Sequence, residues 1–286
     1  RVVRWVALDG AEVVGTAVTW VGLEQNLKAG HVRVTVTPGR RREGIGRALA
    51  AASFDDLEAN GRSLVDTWVV ADRGEAPILE RAGWKMAYRE KRSRLPMAGL
   101  DVDLKQSWID RAPQRAGDYE LLTLETPLAD EHLEPWCELQ FQMNTEPRED
   151  LEMEDEVLTP TIWRDQEAKM LQARRRLHSK VAVHRPTGHW VGSSSIQTDD
   201  IWTEQAWQWE TVTHPDHRNR GLGRWMKASN ILGVRDRVPD VRRVDTWNAG
   251  SNEPMLNINL TMGFRPILVM DTWQGDLGTA RERLGV

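Results

Sequence analysis

Short runs in which apolar and polar side chains alternate predict β-strands along much of the chain, because successive side chains of a strand point to opposite faces of a sheet. In the first third, such runs cover residues 2–7, 12–21, 31–37, 63–70 and 84–94. The Asp9-Gly10 pair between the first two runs favours a hairpin turn. The Ala-rich residues 48–60 and the shorter stretch 75–81 predict helices, so strands dominate and helices connect them.

The remaining two thirds of the chain show the same kinds of pattern. Predicted strands cover residues 119–124, 180–184, 190–197, 206–213, 242–247 and 265–273, and predicted helices cover residues 128–144, 162–175, 224–234 and 253–262. Pro135 is expected to break the first of these helices or to begin a new first turn. Residues 95–118 mix proline, glycine and charges, which predicts a linker with room for a helical turn at residues 107–111.

A glycine loop joins a strand to a helix at two places in the chain. The second copy runs from Arg218 to Arg224 and contains Gly221 and Gly223, and the first runs from Arg41 to Arg47. A helix that begins at glycines offers unpaired backbone N–H groups and the positive end of its dipole, and arginines add fixed charge there. Such a loop suits a pyrophosphate, although two glycines and an arginine also occur at ordinary helix starts.

The two copies belong to a longer internal repeat. The prolines before the loops, both glycines and the flanking arginines fall into register. Downstream, the sequence Val65-Asp66-Thr67-Trp68 matches Val244-Asp245-Thr246-Trp247, and Gly83-Trp84 matches Gly263-Phe264. The chain therefore contains two copies of one domain type.

Strand, Arg-x-x-Gly-x-Gly, helix, strand and a short helix ending in Gly-Phe resembles the GNAT acetyltransferase superfamily, and the doubling resembles its tandem members. The resemblance implies an α/β fold of two tandem domains, each a mixed twisted sheet with helices on both faces. We expect an N-terminal domain at residues 1–95, a linker at 96–117 and a C-terminal catalytic domain at 118–286. About a hundred residues precede the loop in the second copy but only forty in the first, so the first domain should lack its initial strand and two helices.

Composition and charge exclude several other classes of protein. One cysteine, Cys137, rules out an intrachain disulfide and favours the reducing cytoplasm. The net charge of −5 argues against a general nucleic-acid binder, and no apolar run is long enough for a membrane span. We expect no nucleic-acid, membrane or metal partner, and a monomer or homodimer. Cys137 lies in an apolar helical stretch without an adjacent base, so a buried core cysteine is preferred over an acyl-carrying nucleophile.

By the resemblance, the second glycine loop is expected to bind the pyrophosphate of acetyl-coenzyme A, the acetyl donor. Backbone N–H groups of Val212 and Thr213, where this strand should diverge from its neighbour, are candidates for the pantetheine arm and the thioester carbonyl. Asn248 and Asn252 match coenzyme-contacting positions, and turn or helix-cap chemistry explains them equally well. The predicted coenzyme-binding residues are Val212, Thr213, Arg218, Asn219, Arg220, Gly221, Leu222, Gly223, Arg224, Asn248 and Asn252, and in the first copy Val36, Arg41, Gly44, Ile45, Gly46 and Arg47.

Glu210 is the leading candidate for the base that deprotonates the acceptor amine, because neighbouring tryptophans should raise the pKa of its carboxyl. A salt-bridged strand glutamate is the alternative, and His214 is the second candidate base. Similar proteins commonly carry a general-acid tyrosine four residues before the glycine of the last helix. Here that position is Asn259, whose amide can hydrogen-bond the sulfur but cannot give up a proton at neutral pH.

The first copy keeps the glycine loop but not its reactive surroundings: Arg33 replaces Glu210, and Val69, Arg73 and Leu79 replace Asn248, Asn252 and Asn259. We therefore expect the second domain to catalyse acetyl transfer to a small amine. A non-catalytic acyl-coenzyme A sensor or assembly module is the alternative. A nucleotide phosphate-binding protein is a weaker one, because the loop lacks the Lys-Ser/Thr pair. Residues 146–156, with seven carboxylates, form either a solvated acidic loop or a rim that attracts a cationic acceptor.

Overall fold

The computed structural model describes all 286 residues, Arg1–Val286, which divide into two compact units. The first unit comprises Arg1–Glu90, Arg148–Asp155 and Val269–Val286, and the second comprises Lys91–Pro147 and Glu156–Leu268. The strands are β1 (Val2–Asp9), β2 (Glu12–Val21), β3 (Ala29–Val36), β4 (Leu64–Val70), β5 (Lys85–Pro96), β6 (Tyr119–Glu125), β7 (Arg175–His184), β8 (His189–Asp199), β9 (Gln205–Thr213), β10 (Arg243–Ala249) and β11 (Arg265–Asp276). The helices are α1 (Ile45–Ala59), α2 (Ala76–Arg81), α3 (Val102–Arg111), α4 (Pro113–Ala116), α5 (Leu133–Gln140), α6 (Pro160–Gln172), α7 (Leu222–Arg237), α8 (Glu253–Met262) and α9 (Leu277–Leu284).

The first unit is built on a mixed sheet with the strand order β1-β2-β3-β4-β11-β5. The predicted hairpin at Asp9-Gly10 is confirmed, and Gly10 has the positive φ of 59° that such a turn requires. Strands β3 and β4 run parallel but pair only from Ala29 to His31, so the rest of β3 diverges from β4. The core packs Phe54 and Leu57 of α1 against side chains of the sheet.

The end of the chain lies in the first unit, a placement that the sequence analysis did not foresee. From Met270 to Asp276, β11 pairs antiparallel with β4, although residues 265–273 were predicted as the last strand of the second domain. Trp273 and Leu277 bury their side chains in the first-unit core, which holds this segment there. Helix α9 was not predicted, and it begins at the N-cap Asp276, whose side chain accepts a hydrogen bond from the Thr279 N–H.

The second unit has the strand order β5-β10-β9-β8-β7-β6. Strand β9 pairs antiparallel with β8 along most of its length, and parallel with β10 only from Gln205 to Gln208. Trp136 of α5 and Trp163 of α6 pack against β7 and β9 in one apolar cluster. Ile231 of α7 and Phe264 belong to a second cluster with Val244 of β10.

The internal repeat predicted from the sequence is present as repeated structure, and the predicted α/β fold with mixed sheets is confirmed. Strands β1 to β5 with α1 and α2 occur in the same order as β7 to β11 with α7 and α8. Strand β6 and helices α5 and α6 precede the second series.

Three further element predictions differ from the structure. The segment predicted as a linker contains α3, whose Lys105 is only 1% exposed and donates a 2.7 Å hydrogen bond to the Met262 carbonyl. The predicted helix 128–144 is a shorter α5 flanked by 3₁₀ turns, with Pro135 in its first turn as anticipated. Strand β7 begins at Arg175, five residues earlier than predicted, because its pairing with β8 extends to Asp199.

Candidate active site

The two glycine loops have the same backbone conformation. Gly44 and Gly221 precede α1 and α7 with φ angles of 84° and 83°, in the left-handed region that a residue with a side chain rarely adopts. Two residues earlier, Arg42 and Asn219 also have positive φ angles, of 69° and 62°. The glycine at each loop is therefore required by the turn that brings the chain into the helix.

Side chains around the second loop fix its shape and leave positive charge on it. The Arg218 guanidinium donates to the Thr213 carbonyl at 3.0 Å and to Thr145 Oγ1 at 3.0 Å. Arg115 donates to the Asn219 carbonyl at 2.7 Å. Arg220 and Arg224 are exposed, with the Arg224 guanidinium 5.5 Å from the ring centroid of Trp108.

The start of α7 is open and carries free donors. A Cβ atom at Gly221 would have no neighbour within 4 Å, and one at Gly223 would meet only methyl groups of Ile258 and Thr211 at 3.8 and 3.9 Å. Because the first N–H groups of a helix have no intrahelical acceptor, those of Leu222, Gly223 and Arg224 are available to a ligand. The residues predicted for the second phosphate site thus come together in one loop.

The first loop differs from the second in that the side chain of its last arginine is hydrogen-bonded within the chain. Arg47 donates two hydrogen bonds, of 3.1 and 2.7 Å, to the Gly285 carbonyl after α9. Arg41 donates to the Val36 carbonyl at 3.4 Å, and a Cβ atom at Gly46 would lie 3.5 Å from Val36 Cγ2. Ile45 is the first residue of α1. The predicted residues of the first loop are also neighbours, but Arg47 is engaged by the chain itself.

Strands β9 and β10 diverge beside the second loop. Their parallel pairing ends at Gln208 opposite Thr246, while β9 continues to Thr213 and β10 to Ala249. Val212 and Thr213 lie on this diverging end, so the predicted separation of the two strands is present. Along the gap, backbone groups of β9 have no β10 partner.

A β-bulge in β9 changes the direction of its side chains where the gap between β9 and β10 closes. Ser194 pairs with Thr211 and Ile196 pairs with Gln208, so Trp209 and Glu210 together face the single residue Ser195. The matching pair β2–β3 has continuous register from Gly15–Val36 to Val21–Gly30. Arg33 alone therefore stands where the second unit has both Trp209 and Glu210. Bulges of this kind redirect side chains and are frequent beside functional sites.

A cavity of about 1110 Å³ lies at this bulge, and all the residues that line it belong to the second unit. Indole rings form much of its wall, from Trp202, Trp207, Trp209 and Trp247. Its ionisable side chains are the acidic Glu146, Glu156, Asp199, Glu204 and Glu210 and the basic Arg175, Lys227 and Arg243. Five carboxyl groups against three basic groups give the cavity an excess of acidic side chains. The cavity therefore suits a cationic ligand with apolar surface.

Glu210 is half-buried in this wall and receives hydrogen bonds rather than an ion pair. Ser195 Oγ donates to its Oε1, and Ser193 Oγ donates to the same oxygen at 3.5 Å. Burial raises the pKa of Glu210 to about 7, and the hydrogen bonds from Ser195 and Ser193 oppose part of that rise. The alternative of a salt-bridged strand glutamate has no support in the ion pairs of the structure. A carboxyl with this pKa suits proton abstraction near neutral pH.

Lys227 is a cavity residue that the sequence analysis missed. It lies on α7, is 1% exposed, and donates a 3.4 Å hydrogen bond to Thr211 Oγ1. Burial lowers the pKa of Lys227 to about 7, and the charge of Glu210 opposes that decrease. The available signal was a lysine between the apolar residues Met226 and Ala228 on the helix predicted after the glycine loop.

Three of the predicted asparagines, Asn248, Asn252 and Asn259, lie near one another in the second unit. Asn252 caps α8 by accepting from the Met255 N–H at 3.2 Å, and donates to Glu146 Oε2 at 2.7 Å. Asn248 and Asn252 line the cavity. Asn259 is buried and donates to Asn248 Oδ1 at 2.7 Å without lining the cavity itself. The helix-cap role predicted for Asn252 is therefore present.

Other candidates lie away from the large cavity. His214 accepts from the Asp216 N–H at 3.3 Å and lines a separate cavity of about 400 Å³ with His189 and His217. Cys137 is buried as predicted, and burial raises the pKa of its thiol to about 11. No group of three or more His, Cys, Asp or Glu side chains is arranged to hold a metal ion. None of the helices is both long and apolar enough to cross a membrane.

The acidic segment 146–156 divides between two environments. Glu146 and Glu156 line the cavity of the second unit. Residues 148–155 belong to the first unit, where the Asp150 N–H donates to the Ala87 carbonyl at 2.9 Å and the Glu152 N–H donates to Gln274 Oε1 at 2.9 Å. Of the seven carboxylates of this segment, only those of Glu146 and Glu156 therefore lie where the predicted rim needs them.

Comparison with solved structures finds the same fold over nearly the whole chain. The chain is similar to a tandem GNAT protein from the clavulanic acid biosynthesis pathway, with 28% identity and a TM-score of 0.77 over 97% of this chain and 83% of that one. It is also similar to a GCN5-related N-acetyltransferase from Sphaerobacter thermophilus, with 15% identity and a TM-score of 0.69 over 93% and 78% of the two chains. At that lower identity the likeness concerns the fold alone. No protein-family model and no curated protein matches the chain.

Proposed function

Because the chain fits the tandem GNAT family, we propose that it is an N-acetyltransferase that moves an acetyl group directly from acetyl-coenzyme A to a small cationic amine. The observation that carries this proposal is the arrangement of the second unit. There, the glycine loop at the start of α7 adjoins Thr211 at the gap between β9 and β10, and Thr211 and Glu210 line one cavity.

The residues of the loop are suited to the coenzyme. The N–H groups of Leu222, Gly223 and Arg224 and the positive end of α7 would bind the pyrophosphate, with Arg220 and Arg224 adding charge. The free edge of β9 at Val212 and Thr213 would hold the pantetheine arm by backbone hydrogen bonds, with Asn248 and Asn252 on the opposite side of the gap. When bound, the coenzyme would supply the acetyl thioester, and Glu210 would be the carboxyl group available to the acceptor.

The cavity supports a cationic acceptor. Its excess of carboxyl groups attracts an ammonium ion, and the faces of Trp202, Trp207, Trp209 and Trp247 favour a cation or an apolar body. The Arg92 guanidinium already lies 4.6 Å from the ring centroid of Trp207, which keeps that indole in place. Glu146 and Glu156 would act as the rim that draws the acceptor in.

Glu210 would act as the general base. An amine is nucleophilic only when its nitrogen carries a lone pair, so the ammonium form must first lose a proton. The carboxylate of Glu210 takes that proton, and Ser195 and Ser193 hold the carboxylate in place through their hydroxyl groups. Its raised pKa makes it a better proton acceptor than an exposed glutamate.

The first unit would be structural in this proposal. It has the glycine loop and the strand divergence, but β3 has no bulge and carries Arg33 in place of the base. Arg47 of its loop is bonded to Gly285. The hydrogen-bonding asparagines are also missing, because Val69 and Arg73 stand at those positions.

The test is thiol release from acetyl-coenzyme A in the presence of phenethylamine, spermidine and glucosamine, combined with calorimetric titration of acetyl-coenzyme A. The proposal expects binding in calorimetry and amine-dependent thiol release that saturates with at least one amine. Binding without release for any amine would favour the acyl-coenzyme A sensor instead. An absence of binding would overturn both.

A further inference from the structure

We propose that Lys227 is a catalytic residue that donates a proton to the coenzyme sulfur as the thiolate leaves, the role that a tyrosine fills in similar proteins. This inference rests on the proposed function and deepens it. The proposed function assigns a base, Glu210, to the acceptor but does not yet assign an acid to the leaving group.

The position of Lys227 carries the inference. Thr211, whose Oγ1 accepts from Lys227 Nζ, follows Glu210 directly on β9, and neighbouring strand residues point to opposite faces of a sheet. Glu210 lies with Ser193 and Ser195, whereas Thr211 lies with Ser194, at a distance of 3.0 Å between the two hydroxyl oxygens. Lys227 and Glu210 nevertheless line one cavity. They therefore reach the gap between β9 and β10 from opposite faces of the sheet.

The ammonium group of Lys227 has few stabilising interactions. Its one hydrogen bond is long, and an ammonium group carries three N–H donors. The ring centroid of Phe264 lies 5.7 Å from Nζ. The charge of Glu210 on β9 favours the protonated form of Lys227. The carboxylate of Asp245 on β10 is hydrogen-bonded to Arg92 and Arg94 instead of to Lys227. Burial lowers the pKa of Lys227 to about 7, which makes it a far better proton donor than an exposed lysine.

Three other side chains that could be considered for the acid, Asn259, Tyr119 and Cys137, do not suit the role. Asn259, at the position of the usual tyrosine, has an amide that does not ionise. Tyr119, the tyrosine of the second unit, donates or accepts a 2.8 Å hydrogen bond with His217 and does not line the cavity. Cys137 is buried in an apolar cluster and does not line the cavity either.

Protons balance over one turnover. The acceptor arrives as R–NH₃⁺ and loses one proton to Glu210, which passes it to water. The amine nitrogen then bonds to the thioester carbonyl carbon and gives a second proton to Glu210. As the C–S bond breaks, its electron pair stays on sulfur, and the Lys227 ammonium protonates that sulfur. Loss of the proton from Glu210 to solvent and uptake of a proton by the Lys227 amine restore both groups, so the products are an acetamide, a thiol and one proton.

The direct test measures the pKa of the thiol of bound coenzyme A, read from the ultraviolet absorbance of the thiolate as the pH is varied. A cation beside the sulfur lowers that pKa by about 1 unit or more from the usual value near 8.5. We expect the full decrease in Lys227→Arg, a smaller decrease in the wild type, because a Lys227 pKa of about 7 leaves part of its side chains neutral as the thiol titrates, and no decrease in Lys227→Met. Arginine keeps the positive charge but does not release a proton, so Lys227→Arg should also lose about 100-fold or more in kcat.

Lys105→Met is the matched control, because Lys105 is equally buried but lies outside the cavity. It should keep the lowered thiol pKa even where its melting temperature falls. Equal thiol pKa values in the wild type and Lys227→Met would overturn the inference, as would wild-type turnover in Lys227→Arg. If the wild type turns over no amine, the proposed function fails, while the thiol pKa still decides whether Lys227 faces the sulfur.

Discussion

Arg218 Nε donates a 3.0 Å hydrogen bond to the carbonyl of Thr213, which ties the glycine loop to the end of the strand that precedes it. The first unit has the same contact between Arg41 and Val36, at 3.4 Å. The side chain of this arginine therefore holds each loop against the strand that precedes it. In the second loop, the positive charge available to a ligand comes from Arg220 and Arg224. The two loops are alike enough in backbone to be compared by matched substitutions.

Gly223→Glu should abolish binding of acetyl-coenzyme A, whereas Gly46→Glu should leave turnover close to that of the wild type. A Cβ atom fits at both positions, so each variant can fold. The carboxylate in Gly223→Glu occupies the start of α7 and repels a phosphate there. Calorimetry and thiol release on the two variants check this, and loss of turnover in Gly46→Glu alone would reverse the assignment of the catalytic unit.

Glu210→Gln should lower kcat about 10²- to 10⁴-fold without weakening the binding of acetyl-coenzyme A, because a glutamine cannot accept the acceptor's proton. Glu120→Gln, at an exposed position of β6, is the matched control. Turnover in Glu210→Gln comparable to that of Glu120→Gln would remove Glu210 from the mechanism.

Glu210 should also change how the free energy of unfolding depends on pH. Its carboxyl has a pKa raised from 4.5 to about 7 in the folded state, so the folded protein binds more protons than the unfolded chain between those values. The free energy of unfolding of the wild type should therefore fall relative to Glu210→Gln as the pH rises through this window. Urea unfolding of both proteins at pH 5 and pH 8 measures the difference, and a difference of opposite sign would contradict the raised pKa.

Trp209→Leu should raise KM for the amine about 3- to 10-fold and change the binding of acetyl-coenzyme A little, because the indole face attracts the cation. Trp209 is 57% exposed, so its replacement leaves the core intact. Trp68→Leu in the first unit is the control, since Trp68 is 43% exposed and lies outside the cavity. Equal KM values for the two variants would exclude an acceptor contact at Trp209.

Asp245→Asn should destabilise the protein by roughly 3–5 kcal/mol, because it leaves Arg92 and Arg94 without their buried partner. Burial alone would raise the pKa of Asp245, but hydrogen bonds from Arg94 and Arg92 outweigh it and lower that pKa. The stability that the carboxylate contributes is therefore present above about pH 4 and is lost as the pH falls further. Urea unfolding at pH 7 and pH 3 tests this, with the exposed Asp240→Asn as the control.

Local patterns predicted the elements whose formation depends on nearby residues. The hairpin at Gly10, the glycine loops and the strand of Glu210 followed from turn chemistry and alternation, which act over a few residues. Boundaries were less accurate where a partner strand extends an element, as at Arg175 opposite Asp199. The helix at residues 102–111 was predicted only as a helical turn at residues 107–111, because the buried side chain on its inner face is a lysine and the apolar periodicity is weak.

The sequence by itself determined the repeat, the two glycine loops and the candidate base, because each of these is recognised from short motifs of neighbouring residues. Only the tertiary structure decided that Trp209 and Glu210 form a bulge, that residues 269–286 pack in the first unit, and that Lys227 reaches the same cavity as Glu210. These features depend on strand register and on the packing of α7 under β9. Register and packing arise from contacts between residues far apart in sequence, and one sequence does not display those contacts.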